Sequence, residues 1–369
     1  MRLNRSAGTL VLAVLLGACA SQDGLRARIP PLRDQVVPLV ADVDFHSVSP
    51  PMKDFLEQNV SMKKSKDQRA WSLVWAITHR DVLAFDYDPG LTLDPQHTFA
   101  VRRGNCLAFS SMLVAMARHL GLTAWYQEVE IPPEWYSVNN TLLVTLHINV
   151  IVEGKDDQWV VDISGRDSSI GRKIKRITDA DALAQYYNNL GADALTQTNL
   201  ALAHAYFRKA IETKPNLPYL WSNLAVVYNR NDQLQDARES YLVALDIDPG
   251  SSIAANNLYM IYEKEGNLEA ARKMRSKVER HRRKNPYYLY YLSSQAYQQG
   301  RYVESREMLQ KAIALKDQEY RFHYELARLL AGEGDRAAAQ SSLDRALQLA
   351  PENSRISNAQ VDDLPPLPE

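Results

Sequence analysis

An α+β domain followed by an all-α solenoid is the fold this sequence predicts, on three observations. The first is a 34-residue period beyond about residue 184, visible in Pro215 and Pro249, in Ala210 and Ala244, and in Leu190, Leu224 and Leu258. A fixed period of that length marks helix pairs that bury a face only against their neighbours. The second is an apolar run at i, i+3, i+4, i+7 spacing from Cys106 to Leu120, which reads as one buried helix. The third is alternation from Leu142 to Val152, then a turn at Gly154 to Asp157, then Trp159 to Ile163. That pattern is a β-hairpin.

The elements follow in order. Arg2 and Arg5 precede the apolar run Leu10 to Leu16, which is too short for a membrane span of about 20 residues and reads as a leader over 1–18. It closes in Leu16-Gly17-Ala18-Cys19, which resembles a bacterial lipobox. The resemblance implies cleavage before Cys19, lipid on that cysteine and a membrane anchor; Ala20 and Ser21, with no Asp, imply the periplasmic face of the outer membrane. An ordinary signal peptide with an incidental cysteine is the alternative. Residues 19–50, with Pro30, Pro31, Pro38, Pro50 and Pro51, read as an extended tether that contributes nothing to the core. Phe55, Val60, Trp71, Val74 and Trp75 predict two buried helices between 52 and 82, broken at the Lys63 to Lys66 cluster. Residues 86 to 103 read as a loop. Asn105 is a helix N-cap candidate, which places Cys106 in the first turn.

Lys and Arg total 43 against 44 Asp and Glu, so no bulk charge argues for nucleic acid. With Cys19 lipidated, Cys106 is the one free thiol left in the chain. No pair of His or Cys stands at zinc-ligand spacing, and neither a metal nor a cofactor is expected.

A thiol nucleophile needs a nearby base and a third group that fixes that base. The positive end of a helix favours thiolate at Cys106; His147 falls on the polar face of its strand, and Asp162 sits on the next strand, within reach of the imidazole. Taken alone, Cys106 reads better as a small core residue, and His147 reads at least as well as a hydrogen-bonded surface imidazole; their joint order with Asp162 favours a triad. His119 is excluded as the base because it lies 13 residues along the same helix, about 20 Å away. From Phe85-Asp86-Tyr87 through Gly104-Asn105-Cys106 to His147 and Asp162, the chain resembles the transglutaminase-like superfamily, a papain-like arrangement. The resemblance covers roughly residues 50 to 165 within a domain spanning 51–180. It implies a Cys106–His147–Asp162 triad and acyl transfer through a thioester. Asn149 and Ile163 depart from the family, which often has an aromatic and a proline there.

The periodic half resembles tetratricopeptide repeats: Trp221, Leu224, Ala225, Tyr228, Ala237, Tyr241, Ala244 and Pro249 fit the signature, and five copies run over 184–352. Arg275 and Val278 break the pattern in the third copy, so its second helix is expected to pack loosely or run long. Asn189, Asn223 and Asn257 recur at one register, with Tyr291 next in the series, and the resemblance turns that register toward a peptide-binding groove. Common Asn usage at this position is the plain alternative. Basic residues crowd 272 to 284, a pattern that fits a solvated helix face better than an anion site. Residues 353–369 read as a disordered tail.

The whole predicts a membrane-tethered periplasmic cysteine peptidase or transamidase acting on peptide or protein amide bonds, with the repeats recruiting substrate or partner. The rival is a non-catalytic adaptor lipoprotein whose repeats do the work.

Overall fold

The computed structural model describes residues 22–26, 28–129, 136–138, 141–143, 147–164, 174–282, 284–350 and 360–364. Cys19 and the leader 1–18 lie outside the described residues. Within the tail, Val361–Asp363 form one 3-10 turn.

Helix α1 (Gln22–Arg26) is followed by irregular chain up to Ser49. α2 (Pro50–Asn59) and α3 (Lys66–Thr78) lie on either side of the charged turn, as their spacing predicts. α3 starts on a capping box in which Ser65 and Gln68 bond each other's backbone N–H. Its inward face differs from the sequence expectation. Ala70, Leu73, Ala76 and Ile77 are buried, while Trp71 is 56% exposed and stacks on Trp75, with His79 continuing the row.

Residues 86–103 are more than a loop. Strand β1 (Asp86–Tyr87) pairs in parallel with β2 (Arg103–Gly104), and α4 (Pro95–Val101) lies between them. Asp94 caps α4 by accepting from the backbone N–H groups of Gln96 and His97, with Pro95 at the position where a missing N–H costs nothing. α5 (Cys106–His119) is the predicted buried helix. β3 (Thr123–Val129) follows, then the small hairpin of β4 (Tyr136–Val138) and β5 (Thr141–Leu143). The alternation from Leu142 to Val152 therefore runs across two strands, the second being β6 (His147–Glu153). β7 (Gln158–Val161) completes the expected hairpin, and β8 (Ile174–Ile177) adds an edge. The main sheet has the order β7-β6-β3-β8, antiparallel throughout.

Five helix pairs make the solenoid: α6 (Asp179–Thr196) with α7 (Leu200–Thr213), α8 (Pro218–Arg230) with α9 (Leu234–Ile247), α10 (Ser252–Lys264) with α11 (Leu268–Arg282), α12 (Pro286–Gln298) with α13 (Tyr302–Leu315), and α14 (Tyr320–Gly332) with α15 (Arg336–Leu349). Each pair turns through one left-handed residue, at Thr198, Asp232, Gly266, Gly300 and Gly334, again 34 apart. Close crossings need small residues. A Cβ at Gly191 would stand 2.6 Å from the Phe207 ring, so glycine is what lets α6 and α7 meet. In the irregular third copy, α11 is one residue longer than α9 and still buries Ala271, Met274 and Val278.

The two halves share one body. β8 runs through the Thr178 cap straight into α6, and Arg118 of α5 holds Asp179 with two hydrogen bonds of 2.6 and 2.9 Å while also donating to the Ala124 carbonyl. One continuous apolar core runs from Leu25 to Val278, and a smaller one forms around Leu289, Ala312 and Phe322. The stretch expected to be a free tether belongs to this core. Leu25, Leu32 and Phe45 are buried in it, so residues 28–49 are irregular in backbone, as their prolines imply, yet fixed in place.

Candidate functional site

Cys106 is the first residue of α5 and half-buried, and the residues ahead of it are tightly fixed. The Asn105 backbone N–H donates to Leu91 O (2.8 Å), its side-chain Nδ2 to Thr92 Oγ1 (2.7 Å), and its Oδ1 accepts from Ala108 N (2.9 Å). The last bond satisfies one of the amides that every helix start leaves unpaired and aims α5's positive end at the thiol. Gly104 is required here: a Cβ would stand 2.8 Å from the Ala108 methyl.

His147 opens β6, opposite Val129, and Asp162 directly follows β7. Val150 pairs with Val161, so continuing that register sets Asp162 across from Asn149, on the face that also carries His147. His147 is 3% exposed, and its Nε2 lies 2.6 Å from Asp162 Oδ2. Asp162's other oxygen accepts from the Ser164 backbone N–H (2.9 Å) and hydroxyl (2.7 Å). With Nε2 committed to Asp162, Nδ1 is the nitrogen left for Cys106, which also hydrogen-bonds the imidazole. Burial by itself lowers the His147 pKa. The Asp162 carboxylate and Cys106 outweigh that effect and push it up to about 9. Burial raises Asp162, but His147 and Ser164 hold it below the ordinary carboxylate range.

Three contributors escaped sequence reading. Asp67 on α3 fixes the turn between β6 and β7, its Oδ1 accepting from the backbone N–H of Lys155, Asp156 and Asp157 at 2.8, 3.0 and 3.1 Å. Thr92 holds Asn105, and Ser164 holds Asp162. Only Ser164 had a visible signal, the Asp-x-Ser spacing that favours a side chain bonding backbone two residues on.

Asn149 is 1% exposed, and neither its Nδ2 nor its Oδ1 has a hydrogen-bond partner. A buried amide left unpaired costs about 1 to 3 kcal/mol, so Asn149→Leu is expected to raise the denaturation midpoint by a corresponding amount. Equal or lower stability of the variant in urea would show that the amide is satisfied in solution. Among the described residues, no group of three or more His, Cys, Asp or Glu side chains is placed to share a metal ion.

Two of the repeated asparagines are engaged within the solenoid. Asn189, Asn223 and Asn257 fall on α6, α8 and α10 and are half-buried. Asn223 donates to Asn188 (2.7 Å), and Asn257 bonds the Tyr241 hydroxyl, so these two amides serve contacts inside the solenoid. Tyr291 is exposed, its ring 6.1 Å from that of Tyr288.

A thiol, an imidazole and a carboxylate thus stand in hydrogen-bonded sequence in the mixed α/β half, which runs without a linker into a helical-repeat solenoid. Tetratricopeptide repeat family models match residues 188–252 and 296–361, which places these repeats in the C-terminal half, and no family model covers the mixed α/β region ahead of them. No curated protein matches the chain. Among solved structures, MamA from Desulfovibrio magneticus RS-1 is 17% identical and covers 47% of this chain and 96% of its own, with a TM-score of 0.27. PilF of Pseudomonas aeruginosa is 23% identical and covers 48% and 81%, with a TM-score of 0.28. YrrB, described as a TPR protein with an unusual peptide-binding site, is 16% identical and covers 46% and 88%, with a TM-score of 0.26. Repeats of this family bind peptides or proteins, so the C-terminal half suggests protein–protein interaction.

Proposed function

We propose that the chain is a transglutaminase-like cysteine acyl-transfer enzyme acting on peptide or protein amide bonds, with the repeats recruiting substrate or partner. The observation that carries this reading is the buried His147 held between the Cys106 thiol and the Asp162 carboxylate. In this reading the Cys106 thiolate attacks the amide carbonyl. The tetrahedral oxyanion is met by the N–H groups at the start of α5, and His147 passes its proton to the departing amine. A thioester is left on Cys106. His147, now neutral, takes a proton from water or from an acceptor amine as that nucleophile attacks the thioester, which releases the acid or the new amide and restores the thiolate–imidazolium pair. Alkylation of Cys106 by iodoacetamide tests the site without needing the substrate. Labelling that slows sharply in a His147→Ala variant is expected, and equal labelling of the two chains would favour the adaptor instead.

The anchor is the second half of the proposal. Leu16-Gly17-Ala18-Cys19 supports lipidation at Cys19 and retention at the periplasmic face of the outer membrane. No described helix is long and apolar enough to cross a membrane. Cys19→Ser is expected to release the folded protein from the membrane fraction, and unchanged fractionation would assign retention to another surface.

A further inference from the structure

Residues 28–49 contain no helix or strand, so their backbone groups must find partners elsewhere. They find side chains of the first two repeats. Pro30 O accepts from the Tyr228 hydroxyl (2.5 Å), with His204 Nε2 3.3 Å away. Gln233 spans the next residues, its Nε2 donating to Pro31 O (3.1 Å) and its Oε1 accepting from Arg33 N (2.8 Å), while Asn231 donates to Arg33 O (3.0 Å). Farther along, the Tyr187 hydroxyl accepts from Val43 N (3.0 Å) and donates to Ala41 O (3.2 Å). Five side chains from α6, α7, α8 and the turn after α8 thus read main-chain atoms alone, the manner in which an extended peptide is bound whatever its sequence.

Selectivity comes from a few anchors. Leu32 is buried, and Phe45 is buried with its ring edge-on to Tyr186 at 5.3 Å. Arg33 pairs with Asp236 (3.0 Å) and Asp42 with Lys209 (2.5 Å). Between the two held ends Val36 and Leu39 are 93% and 99% exposed, while Val37 and Val40 pack against the core. A segment with no helix or strand of its own, held by side chains that bond its main chain and by spaced apolar anchors, has the character of a docked ligand.

We propose that α6 to α9 form a backbone-reading site for an extended, proline-led peptide carrying a leucine and then a basic residue, and that residues 28–45 are its resident occupant in cis. This inference rests on the reading that the repeats recruit peptides, and it moves their site away from the Asn189, Asn223 and Asn257 register. Tethering gives the resident a high effective concentration, so a partner peptide of the same chemistry enters only as the resident leaves.

Hydrogen exchange on the full chain tests this. The Arg33 and Val43 amides should be protected, yet open at least about tenfold faster than the amides of α7 and α8, because local opening does not require the solenoid to unfold. Tyr228→Phe combined with Gln233→Ala should speed that opening a further tenfold or so, since several main-chain bonds are lost, while exchange in α7 to α9 stays unchanged. A synthetic peptide spanning residues 28–46, in excess, should deprotect the resident segment in the double variant. Exchange of the segment only in step with α8 would make it a core element and overturn the proposal, as would a lack of protection. Capture of a partner peptide with the segment's protection unaltered would overturn this site too, while leaving recruitment by the repeats intact.

Discussion

Asp162→Asn is expected to leave the chain folded and to slow iodoacetamide alkylation of Cys106 by about 100-fold, the low end of what a positioned base contributes. The reason lies in Ser164. Its backbone N–H and hydroxyl both point at one carboxylate oxygen of Asp162, while the other oxygen meets His147 Nε2. In the variant, the asparagine oxygen is drawn to the two Ser164 donors, and the amide NH2 is turned toward the imidazole. Nε2 must then act as acceptor, which puts the ring proton on Nδ1 and removes the base that faces sulfur. Turnover of a substrate should fall further, on the order of 10³- to 10⁴-fold, as is usual when a triad histidine is held in the wrong tautomer. His147→Ala should match it in alkylation. Equal alkylation rates and pH profiles in the native chain and both variants would dismiss the triad and leave Cys106 a half-buried core residue.

The contact of Cys106, His147 and Asp162 could be read in the sequence because each part is announced locally. Asn105 marks a helix start one residue before the thiol, and alternation plus Gly154 fixes which strand face carries His147 and where Asp162 returns. The solenoid was legible through its period, which fixed residues repeat regardless of context. What failed has physical causes. α4 has seven residues, fewer than two full turns of apolar spacing, and β8 has four, so neither builds a periodic signal. Trp71 and Trp75 share a helical spacing with true core residues, and only tertiary packing shows that the smaller Ala70, Leu73 and Ala76 face inward. Docking of residues 28–45 was invisible for a different reason. The proline-rich composition correctly denies it secondary structure, but Tyr228 reads Pro30 across 198 residues of chain, and no local pattern reports a contact at that separation.

The His147 ring is expected to titrate near 9 in the native chain rather than near the roughly 6.5 of an unfolded histidine. The effect on stability follows from proton binding. The pKa of His147 stands at about 9 in the folded chain, above the roughly 6.5 of an unfolded histidine, so near neutrality the folded state keeps a proton that the unfolded state has released. That stabilisation is full below pH 6.5 and is lost as pH rises through 9, where the imidazolium deprotonates and its bond to Asp162 loses its charge assistance. Other buried groups act lower on the scale. Burial raises Asp193 to about 6, and burial lowers His204 below the ordinary histidine range, so neither bends the alkaline limb. Cys106→Ser and Asp162→Asn should each narrow the window by removing one of the two partners that raise His147. The His147 ring resonance in an NMR titration supplies the readout, and a resonance titrating near 6.5 would show that His147 is not held as an imidazolium between Cys106 and Asp162.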